Sequence, residues 1–376
     1  MNGIYYCEGI DSDDRSNLGI EEKVRQQIRC LNSFSKVTVI CKPLDKSALD
    51  RIKFLLPYIK STREKQREAI LGAANDKTTY IYIRKPSLTV HFYKLLRKIK
   101  RLYPSIYIIM EIPTYPFHSE YKGISKIMAI KSSCCERKLH HVIDRIATYS
   151  DDDAIWKIPT IKLSNCVDYS KIPPRNKNYK PLPHTIRLTC VANFTYWHGI
   201  DRLIEGIKKY KGTYKIILNL VGGGKEIKNL KELANNMPNV IFHGPKSGND
   251  LTEIFNQTDI AVDALGRHRS GVFYNSSLKG KEYSARGIPI ISAVETELDR
   301  LNNYPYYLRF PADESPISII KISKFYEKIY RSNNPVNITK TIRQLTKDCF
   351  DYKNSFQPII EKSMLGTTKP RSTNEK

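Results

Sequence analysis

The sequence predicts an α/β chain made of two doubly wound, parallel-sheet domains, and three observations carry that prediction. At 376 residues the chain exceeds one typical core. Short apolar runs alternate with helical periodicity along most of its length, the pattern of a parallel sheet with right-handed crossovers. Between the halves, residues 169–184 carry Pro173, Pro174, Pro181 and Pro183 with Lys and Arg among them and no periodicity, as a linker would.

In the first half, an apolar strand at 4–7 leads into an Asp-rich loop, Gly19 and a helix. There Val24, Ile28 and Leu31 fall on one face, before a β-rich run at 37–41. Gly19 stands where free N–H groups meet an anion, or where a turn needs glycine. Strands at 79–83 and 105–110 bracket a helix at 90–102 with an apolar stripe of Leu95, Ile99 and Leu102. Its other positions hold Lys94, Arg97, Lys98, Lys100 and Arg101: a solvated face, or a patch for anionic lipid, where each cation is worth about 1 kcal/mol.

Glu111, Thr114 and Tyr115 emerge from a strand end in a loop fixed by Pro113 and Pro116, with Arg84 on the neighbouring strand end. Further strands are expected at 146–149 and 160–163. Asp151–Asp153 precede Ala154–Trp156 and read as the acidic start of a helix rather than a metal clamp.

The second half alternates strands at 186–192, 215–221, 240–243 and 260–264 with helices at 199–209, 227–235 and 250–257. Ligands of such sheets bind beyond the strand carboxyl ends. Gly222-Gly223-Gly224, His243-Gly244-Pro245 and the segment 263–291 fall there. That segment reads as a strand end, a basic loop (Gly266 to Gly271, enclosing Arg267, His268 and Arg269), a helix with Lys279 and Glu282, and a buried strand after Pro289. A positive loop, a helix N-terminus and a carboxylate together suit a ligand bearing both phosphate and sugar hydroxyls. The three glycines allow close approach to such a ligand or simply a tight turn. Helices at 317–331 and 338–347 and a polar tail complete the chain.

Composition limits the partners. Hydrophobic residues make up 40%, ordinary for a folded protein. No apolar run approaches the ~20 residues that span a bilayer, and residues 1–10 lack the basic start and apolar core of a secretory leader. The eight cysteines, Cys7, Cys30, Cys41, Cys134, Cys135, Cys166, Cys190 and Cys349, show no CxxC spacing and read as reduced thiols in the cytoplasm. Lys and Arg total 62 against 38 Asp and Glu, a net charge of +24, so anionic partners are expected: nucleic acid, lipid headgroups or phosphorylated substrates. No nucleic-acid recognition motif appears. GxxxxGK[ST], GxSxG and HExxH are absent, and Asp11-Ser12-Asp13 lies away from any strand end, so no metal site is expected.

Residues 193–202 (NFTYWHGIDR), VGGG, Phe242-His243-Gly244 and LKGKEYSARGIPII, with the Gly19 loop, EIPTYP and Ser164-Asn165-Cys166-Val167-Asp168 upstream, together resemble the retaining GT-B glycosyltransferases of family 4 (group 1). These build bacterial capsular or exopolysaccharide. The resemblance implies two Rossmann-like domains facing across a cleft: an acceptor domain at 1–168, the linker at 169–184 and a nucleotide-sugar domain at 185–335. Helices at 336–362 would cross back to the first domain, and 363–376 would be a disordered tail. It implies metal- and cofactor-independent transfer from a nucleotide-diphosphate sugar to a saccharide or polyprenyl-diphosphate-linked acceptor, at the inner face of the cytoplasmic membrane and without nucleic acid.

By that resemblance Glu282 matches the second Glu of a Glu-x7-Glu motif and binds ribose, while Tyr274 stands where the first Glu belongs. Leu278 becomes a buried spacer, and Lys279 supports a phosphate. The family's diphosphate-binding cations fall near Asn193 and His198, so Arg267, His268 and Arg269 are the candidate replacements. Gly19, Asn193, His198, Gly222, Gly223, Gly244, Arg267, His268, Lys279 and Glu282 are thus donor-site candidates, and Arg84, Thr114 and Tyr115 acceptor-site candidates. Glu111, Arg269 and Lys279 are the catalytic ones. A nucleotide-sugar 2-epimerase on the same fold, or a basic membrane- or nucleic-acid-binding module, is the alternative.

Overall fold

The computed structural model describes residues 1–9, 20–42, 62–84, 88–116, 132–133, 135–331, 333–351 and 356–366. Gly19 lies outside them, as does the tail from 367 onward. The chain divides into two units, Met1–Leu163 with 355–376, and Ser164–Asn354.

The first unit holds strands β1 (Asn2–Glu8), β2 (Lys36–Lys42), β3 (Thr78–Arg84), β4 (Tyr107–Ile112), β5 (Arg145–Thr148), β6 (Ala154–Ile155) and β7 (Ile158–Lys162), with helices α1 (Ile20–Asn32), α2 (Thr62–Ala73) and α3 (Val90–Leu102). Its sheet runs β2-β1-β3-β4-β5-β7-β6, parallel except for the β6–β7 hairpin. The strands are buried on both faces because helices cover them, hence runs such as Tyr5-Tyr6-Cys7 and Ile81-Tyr82-Ile83 at 3% exposure or less.

Several local expectations need correction here. Helix α3 has the predicted bounds but buries Phe92, Leu96 and Ile99, whereas Leu102 is 50% exposed. In α1 the buried positions are Glu21, Val24, Gln27, Cys30 and Leu31, with Ile28 only partly covered. Asp151–Asp153 start no helix: a hairpin follows, and Asp151 and Asp153 pair with Lys162 at 3.2 and 2.9 Å. Helix α2 has no apolar stripe because it buries Glu64 and Arg67 alongside Ile70.

The second unit holds strands β8 (Thr185–Val191), β9 (Lys215–Val221), β10 (Val240–Gly244), β11 (Ile260–Val262), β12 (Ile290–Ser292) and β13 (Tyr307–Arg309). Its helices are α4 (Ile200–Lys209), α5 (Ile227–Leu233), α6 (Gly248–Asn256), α7 (Leu278–Arg286), α8 (Ile319–Tyr330) and α9 (Pro335–Phe350). The all-parallel sheet runs β10-β9-β8-β11-β12-β13, reversing direction between β8 and β11. That reversal opens a crevice beyond the carboxyl ends of these two strands.

The proline-bearing stretch 169–184 packs within this unit. Arg175 is buried, donating to the Thr258 carbonyl at 3.0 Å and to the Tyr330 hydroxyl at 2.8 Å. Tyr179 hydrogen-bonds Asp259, which also holds Arg187. A final helix, α10 (Gln357–Gly366), belongs to the first unit, where Phe356 packs on Tyr82.

Candidate active site

The crevice at the sheet reversal of the second unit is formed by two loops. After β8 the chain turns through Thr195 into a short 3-10 helix, Tyr196–His198; after β11 it does the same at Arg267–Ser270. Gly199, at φ +63°, makes their close approach possible: a Cβ there would sit 2.5 Å from the Gly266 nitrogen. The Leu265 N–H donates to the His198 carbonyl at 2.8 Å and locks the loops together.

His198 is held in one tautomer. The Thr195 backbone N–H donates to its Nδ1 at 3.0 Å, so the ring proton sits on Nε2. Burial, then the nearby charges of Lys279 and Arg267, push its pKa down to about 2, and the ring is a neutral donor at any physiological pH. Arg267 is 8% exposed, with its guanidinium 5.8 Å from the Trp197 ring centre.

Lys279 lies in the first turn of α7, whose N-cap Ser277 accepts from the Gly280 N–H and donates to Asp263 at 2.8 Å. The Lys279 ammonium makes no hydrogen bond, and its neighbouring carboxylate, Asp263, is 3.5 Å away. A buried ammonium with unused donors beside a neutral imidazole N–H and a second cation is an arrangement for a multiply charged anion. The N-terminus of α7 adds to the positive potential.

The other basic-loop residues are committed elsewhere. Arg269 donates to Glu314 at 2.5 to 3.1 Å, to Asp201 at 2.7 and 3.0 Å and to the Tyr196 carbonyl at 2.8 Å, which uses every face of its guanidinium. His268 Nε2 meets Glu314 at 2.6 Å. These two side chains hold the loop in place.

Glu282 is joined by Arg286 at 2.9 and 3.0 Å, one turn further along α7, and not by Lys279. Leu278 is 36% exposed and so is not the buried spacer expected of it. Tyr274 bridges to Glu295, with the Arg300 guanidinium 4.5 Å from its ring centre.

Of the glycines, Gly222 and Gly224 have φ near +127° and would drive a Cβ into the Ala192 and Phe194 backbone, so they are required by packing. Gly223 has open space beside its Cα, as does Gly244; Asn193 is exposed nearby. Sequence reasoning passed over Asp263, Ser277 and Trp197 as site components. It also missed the fully buried Lys281, which pairs with Glu297 at 2.5 Å beneath α7, while Glu297 accepts from Ser164 at 2.9 Å. The Ser277 cap three residues before a helical glycine was the one signal available for these.

In the first unit, Glu111 is 0% exposed and forms a hub. Arg84 donates to it at 2.9 Å, Tyr82 and Gln27 each at 3.0 Å, and the Lys23 ammonium lies 3.8 Å away. Burial raises its pKa, but Arg84, Lys23 and the two hydrogen bonds outweigh that and hold the carboxyl below the usual range. Thr114 and Tyr115 are partly buried beyond it. Among the described residues no group of three or more His, Cys, Asp or Glu is placed to hold a metal ion, and no helix is long and apolar enough to cross a membrane.

Two α/β units built on parallel sheets, the second doubly wound, define the GT-B class of fold. The comparisons agree. Residues 176–293 match the family described as glycosyl transferases group 1. In structure the chain is similar to a sucrose-phosphate synthase from Thermosynechococcus elongatus, at TM-score 0.64 and 14% identity over 98% of this chain and 99% of that one. It is similar to the lipopolysaccharide outer core galactosyltransferase WaaB in its apo form (TM-score 0.57, 13% identity, 96% and 100% of the two chains). It is also similar to Anabaena HepE in complex with UDP and glucose (TM-score 0.56, 12% identity, 97% and 100%). No curated protein matches the chain in sequence.

Proposed function

We propose that the chain is a glycosyltransferase that moves a hexose from a nucleoside-diphosphate sugar to a saccharide acceptor, with retention at the anomeric carbon and without a metal or cofactor. The observation that supports it is the Lys279 ammonium, buried and short of partners, beside His198 and Arg267 in the crevice of the group 1 domain.

As the bond from the anomeric carbon to the diphosphate breaks, negative charge grows on the leaving group and the sugar takes on oxocarbenium character. Lys279, Arg267, the His198 Nε2–H and the α7 N-terminus are already oriented toward that charge, so little reorganisation is needed. Glu282 binds the ribose hydroxyls, and the backbone around Gly223 and Gly244 leaves room for the nucleoside. Arg269 and His268 act by fixing the loop that carries Arg267. In the first unit Glu111 acts through Arg84, which holds the acceptor phosphate, and the loop with Thr114 and Tyr115 positions the acceptor.

Surface polysaccharide assembly on a lipid-linked acceptor, with the chain peripheral at the inner face of the cytoplasmic membrane, is the setting we infer. The exposed Lys94, Arg97, Lys98 and Arg101 of α3 and the net charge of +24 support it. WaaB, a lipopolysaccharide outer core galactosyltransferase, is a precedent on this fold.

A thermal-shift series with UDP-, GDP-, dTDP- and CMP-sugars tests donor binding, since a ligand of the folded state raises its stability. One nucleotide class should raise the melting temperature; no response to any would overturn the reading. Product analysis by NMR with and without acceptor then separates transfer from 2-epimerisation, and added chelator should leave the rate unchanged.

A further inference from the structure

We propose that Cys7 and Cys41 form a redox-active dithiol that a peroxide closes to a disulfide across the carboxyl ends of β1 and β2. The two residues are direct partners in the parallel register of these strands, Tyr6 pairing with Ile40 and Glu8 with Lys42 on either side. Neighbouring strands run about 4.8 Å apart. In-register side chains on them point to the same face, and a disulfide spans Cα separations of about 4.4–6.8 Å. The register thus puts the two Cα atoms at a separation a disulfide can span.

The pair is asymmetric in a way that suits stepwise oxidation. Cys7 is 2% exposed, with its sulfur 3.8 Å from the Glu8 carbonyl oxygen, while Cys41 is only partly buried. Interaction with Cys7 lowers the Cys41 pKa, and the same interaction, ahead of burial, raises that of Cys7. Cys41, the more accessible of the two, is the nucleophile and Cys7 the resolving thiol. Cys190, by contrast, is 0% exposed and pushed by burial up to about 11, the environment of an inert core thiol.

In the first step the Cys41 thiolate attacks one oxygen of hydrogen peroxide; the O–O bond breaks and hydroxide leaves, taking a proton to become water. The Cys7 sulfur then attacks the sulfur of the resulting sulfenic acid. The S–O bond breaks, and the departing hydroxide takes the Cys7 proton as a second water. The two thiols lose two electrons and two protons, and the peroxide is reduced to two waters. The bond would join the strand ends one residue before Glu8, whose carboxylate accepts from the buried Arg67 at 2.5 Å. This inference is independent of the glycosyltransferase reading.

The test uses the full chain, reduced, freed of reductant and treated with hydrogen peroxide. Remaining thiols are then alkylated and the digest is read by mass spectrometry. A peptide pair linked through Cys7 and Cys41, lighter by two hydrogens and lost on treatment with dithiothreitol, is expected. Cys7→Ser should leave Cys41 as a sulfenic acid that dimedone traps, and Cys41→Ser should leave Cys7 unoxidised. A wild-type chain in which both residues remain alkylatable, or in which Cys41 is linked to a different cysteine, overturns the proposal; that measurement needs no variant to fold.

Discussion

The Glu111 hub of the first unit and the Lys279 crevice of the second both gather charge at the carboxyl ends of parallel strands, yet they are opposites in satisfaction. Glu111 is sealed at 0% exposure, with Arg84, Tyr82 and Gln27 all donating to it within 3.0 Å. Lys279 keeps unused donors, with Asp263 3.5 Å off. A charge whose partners are all in place holds structure, and one left short of them is poised for a ligand. Within the basic loop Arg269 is saturated by Glu314 and Asp201, and Arg267 two residues earlier is packed beside Trp197 and His198.

Glu111→Gln should give the largest effect, and it should fall on stability. Breaking the pair strands Arg84 in the interior, and such losses run to about 3–5 kcal/mol. Denaturant melts of the first unit would show it as a lowered midpoint. Because the folded pKa of Glu111 is depressed, its contribution is present above the unfolded value of about 4.3 and lost as pH falls through the lower folded value. Acid unfolding of wild type should therefore begin below about pH 4, and the variant should lose this part of the profile. A variant as stable as wild type would break the contrast.

Lys279→Ala should do the reverse, lowering transfer about 100-fold or more, as removal of a preorganised charge-stabilising donor does, with little change in melting temperature. It should also abolish the thermal shift that a nucleotide sugar produces. Arg269→Ala comes next: about 1–2 kcal/mol of stability lost, since its carboxylate partners are partly solvated, and a smaller drop in donor affinity through the loosened loop. If instead Arg269→Ala removed donor binding and left stability intact, the roles of the two cations would have to be exchanged.

The alternation that predicts two parallel sheets is legible because strands and helices each leave a period, and β9 lies where the sequence puts it, at Lys215–Val221. Where the period is degenerate, packing decides. In α3 the sets Phe92/Leu96/Ile99 and Leu95/Ile99/Leu102 are equally apolar and equally spaced, and only the sheet beneath selects the first. The β6–β7 hairpin turns on Trp156 and Lys157 at φ +51° and +64°, positions normally marked by Asn or Gly, so its turn left no sign. Helix α2 buries a charged face against Glu8 and Thr89, which no hydrophobic pattern reveals.

For the site, Arg267, His268 and Arg269 are interchangeable in the sequence. They are sorted by Glu314 and Asp201, residues 45 and 68 positions away in the chain. His198, near which the family resemblance would put a cation, gives the smallest and most discriminating prediction. Its folded pKa is depressed below the unfolded value of about 6.5, so the unfolded chain binds the extra proton and the His198 contribution to stability falls as pH drops below 6.5. Ligand binding, however, meets a neutral Nε2–H at every pH from 5 to 8 and should show no step from this group. His198→Gln, which can place an N–H near the Nε2 position, should remove the stability slope while retaining most donor affinity, whereas His198→Ala should lose both. Parallel pH titrations of melting temperature with and without a nucleotide sugar separate these outcomes; a binding step near pH 6.5 in wild type that His198→Gln abolished would show that the imidazole titrates in the folded chain and works as a cation after all.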